Sequence, residues 1–211
     1  LGATTVAQNI NGTGNVYITN GTKTATRTST ATLVFGANVN LQLSNGINFG
    51  AGFSTVNGTL TINSGGFVSS NAPLYGLTSS LIYNSGGPYS LSSEWTSANA
   101  TATVTAGRPG NVTIQNNTDL TMTTTDRSLY ANLNISSGSL TLNGTSGNLL
   151  VGGNWTRAAA GATFTQSGRT VQFFSVASGL STTITRTGGE TFGNVTLAKG
   201  TGSGLNVNMA C

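Results

Sequence analysis

A short phrase of alternating residues recurs along the chain and constrains its fold more than any other feature. In each copy two apolar residues flank a single residue, small and polar in all copies except Tyr17, and are followed within a few positions by Gly or Asn. Alternation with a period of two that ends at a turn residue is typical of a short β-strand. The copies begin at Val16, Val39, Leu60, Val112, Leu133, Leu140, Val195 and Leu205. Recurrence of one strand–turn unit predicts stacked repeats.

The spacing of the phrase predicts a solenoid. When one apolar residue is taken from each unit, most intervals are about 20 to 24 residues, which is the length of one coil of a parallel β-helix. These marker residues are Val16, Val39, Leu60, Leu81, Val112, Leu133, Leu149, Val171 and Val195. We therefore predict an all-β fold, a right-handed parallel β-helix of about nine coils, with residues 1–211 forming a single unit. Val112 and Ile114 should then stack against Leu133 and Ile135 of the next coil, with the polar residues between them facing outwards.

One interval, from Leu81 to Val112, is longer than the others. We therefore predict that the extra residues form an inserted loop at residues 84–110. Loops on a repetitive scaffold commonly carry binding surfaces. The residues that we predict to contact a ligand are Tyr83, Tyr89, Glu94 and Trp95. Their aromatic rings could stack on a sugar. The alternative is that these side chains form a small core that anchors the loop.

The composition excludes several kinds of partner. Charged residues are only 6% of the chain, against roughly 25% in an average globular domain. The net charge is +4, but the basic residues are scattered singly, so we predict no nucleic-acid partner. No stretch approaches the roughly 20 apolar residues of a membrane helix, so we predict no membrane insertion.

Catalytic and metal chemistry have few candidate residues. The chain has no His, and its one Cys is Cys211. This removes the commonest transition-metal ligand and the usual base of a nucleophilic triad, and we predict no cofactor, no metal and no enzymatic activity. The alternative is a carbohydrate-active β-helix enzyme, a polysaccharide lyase or hydrolase, that uses Asp119, Asp126 and Arg127. The two aspartates are also typical turn residues.

Alternating threonines suggest a second alternative, an ice-binding solenoid. The longest row is Thr22, Thr24, Thr26, Thr28, Thr30 and Thr32. In a strand these hydroxyls would share one face. Threonine is also common on any solvated strand. The shorter rows at 101–105, 121–125 and 183–187 keep no common interval with it, whereas a regular ice-binding face would repeat at one phase of the coil.

Several phrases resemble a known family. They are Leu-Ile-Tyr-Asn-Ser-Gly-Gly-Pro-Tyr at 81–89, Gly-Gly-Asn-Trp-Thr at 152–156, Gly-Arg-Thr-Val-Gln-Phe at 168–173 and Thr-Phe-Gly-Asn-Val-Thr-Leu at 191–197. Together they make roughly residues 60–200 similar to the repeat region of large secreted surface proteins of Bacteroidetes. The resemblance implies an exported, adhesin-like or filament-forming β-helical protein that uses type IX secretion. Members of that family usually end in a sorting domain, and nothing in this sequence matches one.

These observations predict an extracellular structural or adhesive module, secreted or at the bacterial cell surface. It would self-associate into filaments or act as a surface spacer. No helical cap is recognisable at either terminus, so we expect further chain or a second copy to pair with the solenoid ends. The sequence also begins at Leu1 without a signal peptide, which suggests a segment of a longer chain. A surface carbohydrate is the other partner that we expect.

Overall fold

A computed structural model describes residues 8–26, 31–101, 103–174, 181–198 and 206–210, and the description of residues 181 and 206–210 is limited to the backbone. Within these residues the regular structure is entirely β-strand, in 24 strands numbered in chain order. Every pairing between these strands is parallel. The described part of the chain contains no helix of the length and apolarity needed to cross a bilayer.

One sheet, here the continuous sheet, runs the length of the molecule. Its nine strands, in spatial order, are β2 (Gly14–Ile18), β5 (Val39–Leu43), β8 (Thr59–Asn63), β11 (Ser80–Asn84), β13 (Asn111–Ile114), β16 (Leu133–Ile135), β19 (Trp155–Arg157), β22 (Ser181–Thr185) and β24 (Asn206–Ala210). Nine strands stacked in chain order make about eight turns of a β-solenoid, close to the nine coils that the spacing predicts. The predicted fold, an all-β parallel solenoid, is confirmed.

The strands that precede those of the continuous sheet form two separate sheets. The first contains β1 (Gln8–Ile10), β4 (Leu33–Phe35), β7 (Ser54–Val56) and β10 (Leu74–Tyr75). The second contains β15 (Arg127–Leu129), β18 (Leu149–Val151), β21 (Thr170–Phe174) and β23 (Asn194–Ala198).

The strands that follow those of the continuous sheet along the chain also form two separate sheets. One sheet contains β3 (Lys23–Thr24), β6 (Gly46–Asn48) and β9 (Phe67–Val68). The other contains β12 (Pro88–Ser90), β14 (Thr118–Thr121), β17 (Gly138–Thr141) and β20 (Ala162–Thr165). In both cases the break between the two sheets lies at residues 84–110, where the sequence predicts an insertion.

Apolar side chains line up along the bore of the solenoid. Val112 is in register with Leu133, and Ile114 with Ile135, as the sequence predicts. All four are fully buried, as is Ile62 two coils earlier in the same column as Ile114. Burial of a side chain of this size contributes about 1.5–3 kcal/mol. The bore is therefore the main source of stability.

Side-chain amides tie successive coils together outside the bore. The Asn63 amide donates to Gln42 at 3.4 Å, Asn84 donates to Asn63 at 2.8 Å, and Gln115 donates to Asn84 at 3.1 Å. Stacked amides of this kind repeat along the axis because parallel strands in register bring like positions together. They hold the corner after the continuous sheet in one alignment.

Candidate functional site

The four residues predicted to contact a ligand at the insertion lie mostly inside the protein. Tyr83, Glu94 and Trp95 have no exposed surface, and Tyr89 is half-buried. A sugar outside the solenoid cannot stack on a buried ring. The structure therefore matches the alternative interpretation, in which these residues are a core that anchors the loop.

Glu94 is the polar centre of this core. The Tyr83 hydroxyl donates to Oε1 at 3.3 Å and the Ser92 N–H donates to the same oxygen at 3.1 Å. The Tyr75 hydroxyl donates to the Glu94 backbone carbonyl at 2.9 Å. Burial raises the pKa of the Glu94 carboxyl above its usual value, and the hydrogen bonds to the carboxylate only partly offset that effect.

Trp95 and the residues after it attach the insertion to the next coil. The Trp95 indole N–H donates to the Ser128 carbonyl at 2.7 Å, and the Ser128 N–H donates to the Ser97 carbonyl at 2.8 Å. The Thr96 N–H donates to the Gly107 carbonyl at 2.9 Å, which closes the loop on itself. The later part of the stretch 84–110 is thus held in the space between the two preceding sheets.

The earlier part of that stretch belongs to the solenoid itself. β12 pairs with β14, with Tyr89 opposite Leu120. On its other side β12 does not pair with β9, although the continuous-sheet strands just before them, β8 and β11, are paired along their whole length. The two following sheets therefore separate at this point, and an open groove of about 480 Å³ lies between them.

The groove is lined by two copies of one sequence phrase and the residues after them. Asn-Ser-Gly-Gly occurs at 63–66 before Phe67 and again at 84–87 before Pro88. Proline has no backbone N–H, so β12 starts with one ladder donor fewer, and proline is found mainly at the edges of sheets. The Val68 carbonyl of β9 instead accepts from the Ser93 N–H at 3.2 Å and from the Ser92 hydroxyl at 2.7 Å.

Phe67 is a residue of this groove that sequence reasoning did not select. Its side chain is 36% exposed, which is unusual for a phenylalanine in a strand. The signal that could have found it is the repeated Asn-Ser-Gly-Gly phrase, followed once by Phe67 and once by Pro88-Tyr89. Two such corners on successive coils place Phe67 and Pro88 at equivalent outward positions, whereas Tyr89 takes the inward position of the buried Val68.

The long threonine row does not form one flat strand. Thr22, Thr24, Thr26 and Thr32 are exposed, but the strand in this region, β3, comprises only Lys23–Thr24. Thr28 and Thr30 lie outside the described residues. The shorter rows lie elsewhere: Thr121 is on β14 of a following sheet, and Thr183 is on β22 of the continuous sheet. The described threonines therefore do not share a face.

The candidate catalytic residues have structural partners. Asp119 accepts a hydrogen bond from the Ser139 hydroxyl at 2.8 Å, and Asp126 accepts one from the Asn148 N–H at 2.7 Å. Both bonds join one coil to the next. Asp126 lies in the turn before β15, as the sequence predicts, whereas Asp119 lies on β14 and not in a turn.

Arg127 points away from any external substrate. Its guanidinium is buried, and it donates to the Thr123 hydroxyl at 2.7 Å and to the Thr125 hydroxyl. Burial lowers the pKa of Arg127 from its usual value. Among the described residues, no three or more acidic, His or Cys side chains are grouped to hold a metal ion.

Apolar bore residues are exposed at both ends of the described solenoid. At the first coils, Ile10, Val16 and Ile18 line a cavity of about 350 Å³. At the last coils, Val195 and Leu197 of β23 are 44% and 54% exposed, although their register partners Val171 and Phe173 are fully buried. Apolar columns that are covered within the rod are therefore uncovered at its two ends.

Comparison with protein-family models, with curated proteins and with solved structures finds no match for this chain. Its function therefore has to be argued from the geometry of the solenoid.

Proposed function

We propose that this chain is a non-enzymatic extracellular structural or adhesive module whose solenoids stack end to end. The observation that carries this proposal is the pair of apolar ends. Val195 and Leu197 continue an inward-facing column that is otherwise fully buried, so a further coil placed over them would bury them. Ile10, Val16 and Ile18 at the other end offer a second apolar surface.

Backbone geometry also supports end-to-end contact between two solenoids. In the described residues, β2 and β24 are the outermost strands of the continuous sheet, and each has one edge without a strand neighbour. A parallel edge can accept another strand in register. Because the two ends are different surfaces, their contact is head to tail, and repeated head-to-tail contacts produce an open filament.

The exterior of the rod suits a spacer or an adhesive surface. Amide ladders and backbone pairing hold the coils at fixed spacing, and few charges are available for electrostatic recognition. The phrases around Trp155 and Phe192, which resemble those of secreted Bacteroidetes surface proteins, support export to the cell surface by the type IX route. An enzymatic role has less support, because Asp126 and Arg127 are already engaged within the fold.

Sedimentation velocity over a range of protein concentrations tests the proposal. We expect the wild-type protein to form larger species as its concentration rises, and electron microscopy to show rods longer than one molecule. Leu197→Lys should abolish this association, because a charge at the apolar end is costly to bury.

Leu77→Lys is the matched control, since Leu77 is also an exposed leucine but lies between β10 and β11 in the middle of the rod. Association that survives Leu197→Lys, or a wild-type protein that stays monomeric at all concentrations, would contradict end-to-end stacking.

A further inference from the structure

The groove between β9 and β12 has the dimensions of a small-molecule site. Its volume of about 480 Å³ lies within the range of about 300–1,000 Å³ that is usual for ligand pockets. It is open along one side, so a ligand could be one unit of a longer molecule that continues outside.

The lining of the groove is uncharged and amphipathic. None of the described residues that line it carries a charge, which disfavours phosphate, nucleotide and acidic ligands. Phe67 and Pro88 supply exposed apolar surface, and Ser64 and Ser90 supply exposed hydroxyls. A neutral pyranose matches this combination, because one face of the ring presents C–H groups and its rim presents hydroxyls.

An extended peptide is a poorer match. A peptide that added a strand here would need free ladder groups on β9 and β12. Pro88 has no N–H to offer, and the Val68 carbonyl already accepts two hydrogen bonds from Ser92 and Ser93. The edges of the groove are therefore largely unavailable for strand addition.

The β12 side of the groove is held in place before any ligand binds. The Tyr89 ring packs on the buried Tyr83 ring with centroids 5.4 Å apart, and the backbone at Tyr89 pairs with β14. A rigid site loses less conformational entropy on binding. The insertion core around Glu94 thus supports the groove from inside the solenoid.

We propose that this groove binds an uncharged pyranose unit of a glycan, with Phe67 and Pro88 in contact with the C–H face of the sugar. This site is separate from the ends of the rod and does not depend on end-to-end stacking. It assigns an adhesive function to one position along the solenoid and a ligand class to that position.

Gly87 provides a way to block the groove without disturbing the fold. It lines the groove, its backbone lies outside the left-handed region, and a Cβ atom added there meets nothing within 4 Å. Gly87→Gln should therefore fill the groove and leave stability unchanged. Gly144→Gln is the matched control, because Gly144 has the same open surroundings and is not part of the groove lining.

The experiment is a glycan array probed with the wild-type protein, followed by isothermal titration calorimetry with the oligosaccharides that bind. The array should include neutral and acidic glycans of plant, microbial and animal origin, so that the strongest class identifies the source. We expect neutral glycans to bind and Gly87→Gln to abolish binding. Phe67→Ala should weaken it about ten-fold, equivalent to about 1.4 kcal/mol. Gly144→Gln, and Tyr17→Ala at an exposed tyrosine of the continuous sheet, should bind like the wild type.

Three results would overturn the proposal. One is the absence of any glycan binding by the folded wild-type protein. Another is glycan binding that Gly87→Gln and Phe67→Ala leave unchanged. The third is that the wild-type protein binds acidic glycans or extended peptides in preference to neutral glycans, and that Gly87→Gln blocks this binding. None of these bears on end-to-end stacking, which the sedimentation experiment tests independently.

Discussion

Arg157 and Glu190 form a shielded ion pair near the last coils. Arg157 Nη2 lies 2.7 Å from Glu190 Oε1, and Arg157 Nε lies 2.7 Å from Oε2, so the contact is bidentate. The Trp155 indole N–H also donates to Glu190 Oε2, at 3.0 Å. Burial alone would raise the pKa of Glu190, but the hydrogen bonds from Arg157 and Trp155 more than offset it and the pKa is lowered.

Replacement of Glu190 should destabilise the protein in a pH-dependent way. Glu190→Gln should lower the free energy of unfolding at pH 7 by about 1.5–3 kcal/mol, the range for a hydrogen bond to a charged group. A carboxyl group with a lowered pKa contributes stability above its unfolded-state pKa, and that stability is lost as the pH falls through the folded-state value. The difference between wild type and variant should therefore shrink below about pH 4.5.

Chemical denaturation at several pH values measures this difference. Asp119→Asn is the control, because Asp119 is an exposed carboxyl group with a single hydroxyl partner. An equal loss of stability in both variants, or a loss that does not depend on pH, would contradict the assigned role of the ion pair.

Glu94 should show the opposite pH dependence. Its raised pKa means that the folded protein favours the protonated carboxyl group. Stability linked to this group is present below its unfolded-state pKa and is lost as the pH rises through the folded-state value. The groups around the carboxylate are Tyr83, Tyr89 and Arg127.

Glu94→Gln removes this titration while keeping the shape of the side chain. We expect its melting temperature to match the wild type at pH 4 and to exceed it at pH 8. Differential scanning calorimetry across this range checks the prediction. A variant that is less stable than the wild type by the same amount at both pH values would show that burial of the charged Glu94 carboxylate does not destabilise the protein.

At the scale of strands and turns, the two copies of Asn-Ser-Gly-Gly show that the neighbouring coil decides whether a position requires glycine. In each copy the first glycine, Gly65 or Gly86, has a positive φ of 79° or 72° and needs the freedom of glycine. The second glycines differ. A Cβ atom on Gly66 would lie 2.1 Å from the Leu43 carbonyl oxygen of the preceding coil, whereas one on Gly87 meets open space.

Alanine substitutions should separate the two positions. Gly66→Ala should lower the free energy of unfolding by about 1–3 kcal/mol, because the coil beneath has to move. Gly87→Ala should change it by less than about 0.5 kcal/mol. Denaturant titration of both variants measures the two changes, and similar values would mean that the coils are equally spaced at both corners and that no groove separates β9 from β12.

At the scale of the whole molecule, the cost of removing a bore residue should depend on its position along the rod. Ile114 is fully buried between Tyr83 and Ile135 of the adjacent coils. Ile18 occupies the same column at the first strand of the continuous sheet and is only partly buried.

Ile114→Ala should cost about 2–5 kcal/mol of unfolding free energy, and Ile18→Ala should cost less than half as much. The physical reason is that a cavity in the middle of the column loses contacts on both sides, while one at the end is already open. Equilibrium denaturation monitored by circular dichroism gives both values. The measurement is made at a protein concentration too low for end-to-end association, and equal costs under that condition would contradict the prediction.

Local alternation was sufficient to predict the fold class and the inward-facing residues. Val112, Ile114, Leu133 and Ile135 face the bore because neighbours in a strand point to opposite faces, and that rule needs no knowledge of distant residues. The corner glycines follow from the same local chemistry. The candidate site could not be predicted as well: of the four residues selected at the insertion, only Tyr89 reaches the groove.

What the sequence by itself determined about this protein is therefore a parallel solenoid with an apolar bore, an exterior with few charges and an interruption near residues 84–110. Only the tertiary structure decided that Glu94 and Trp95 fold into the interior, that β9 and β12 separate, and that Phe67 and Pro88 are exposed on either side of the groove. The physical reason is that strand direction depends on adjacent residues, whereas crowding, burial and open space depend on which coil lies above or below.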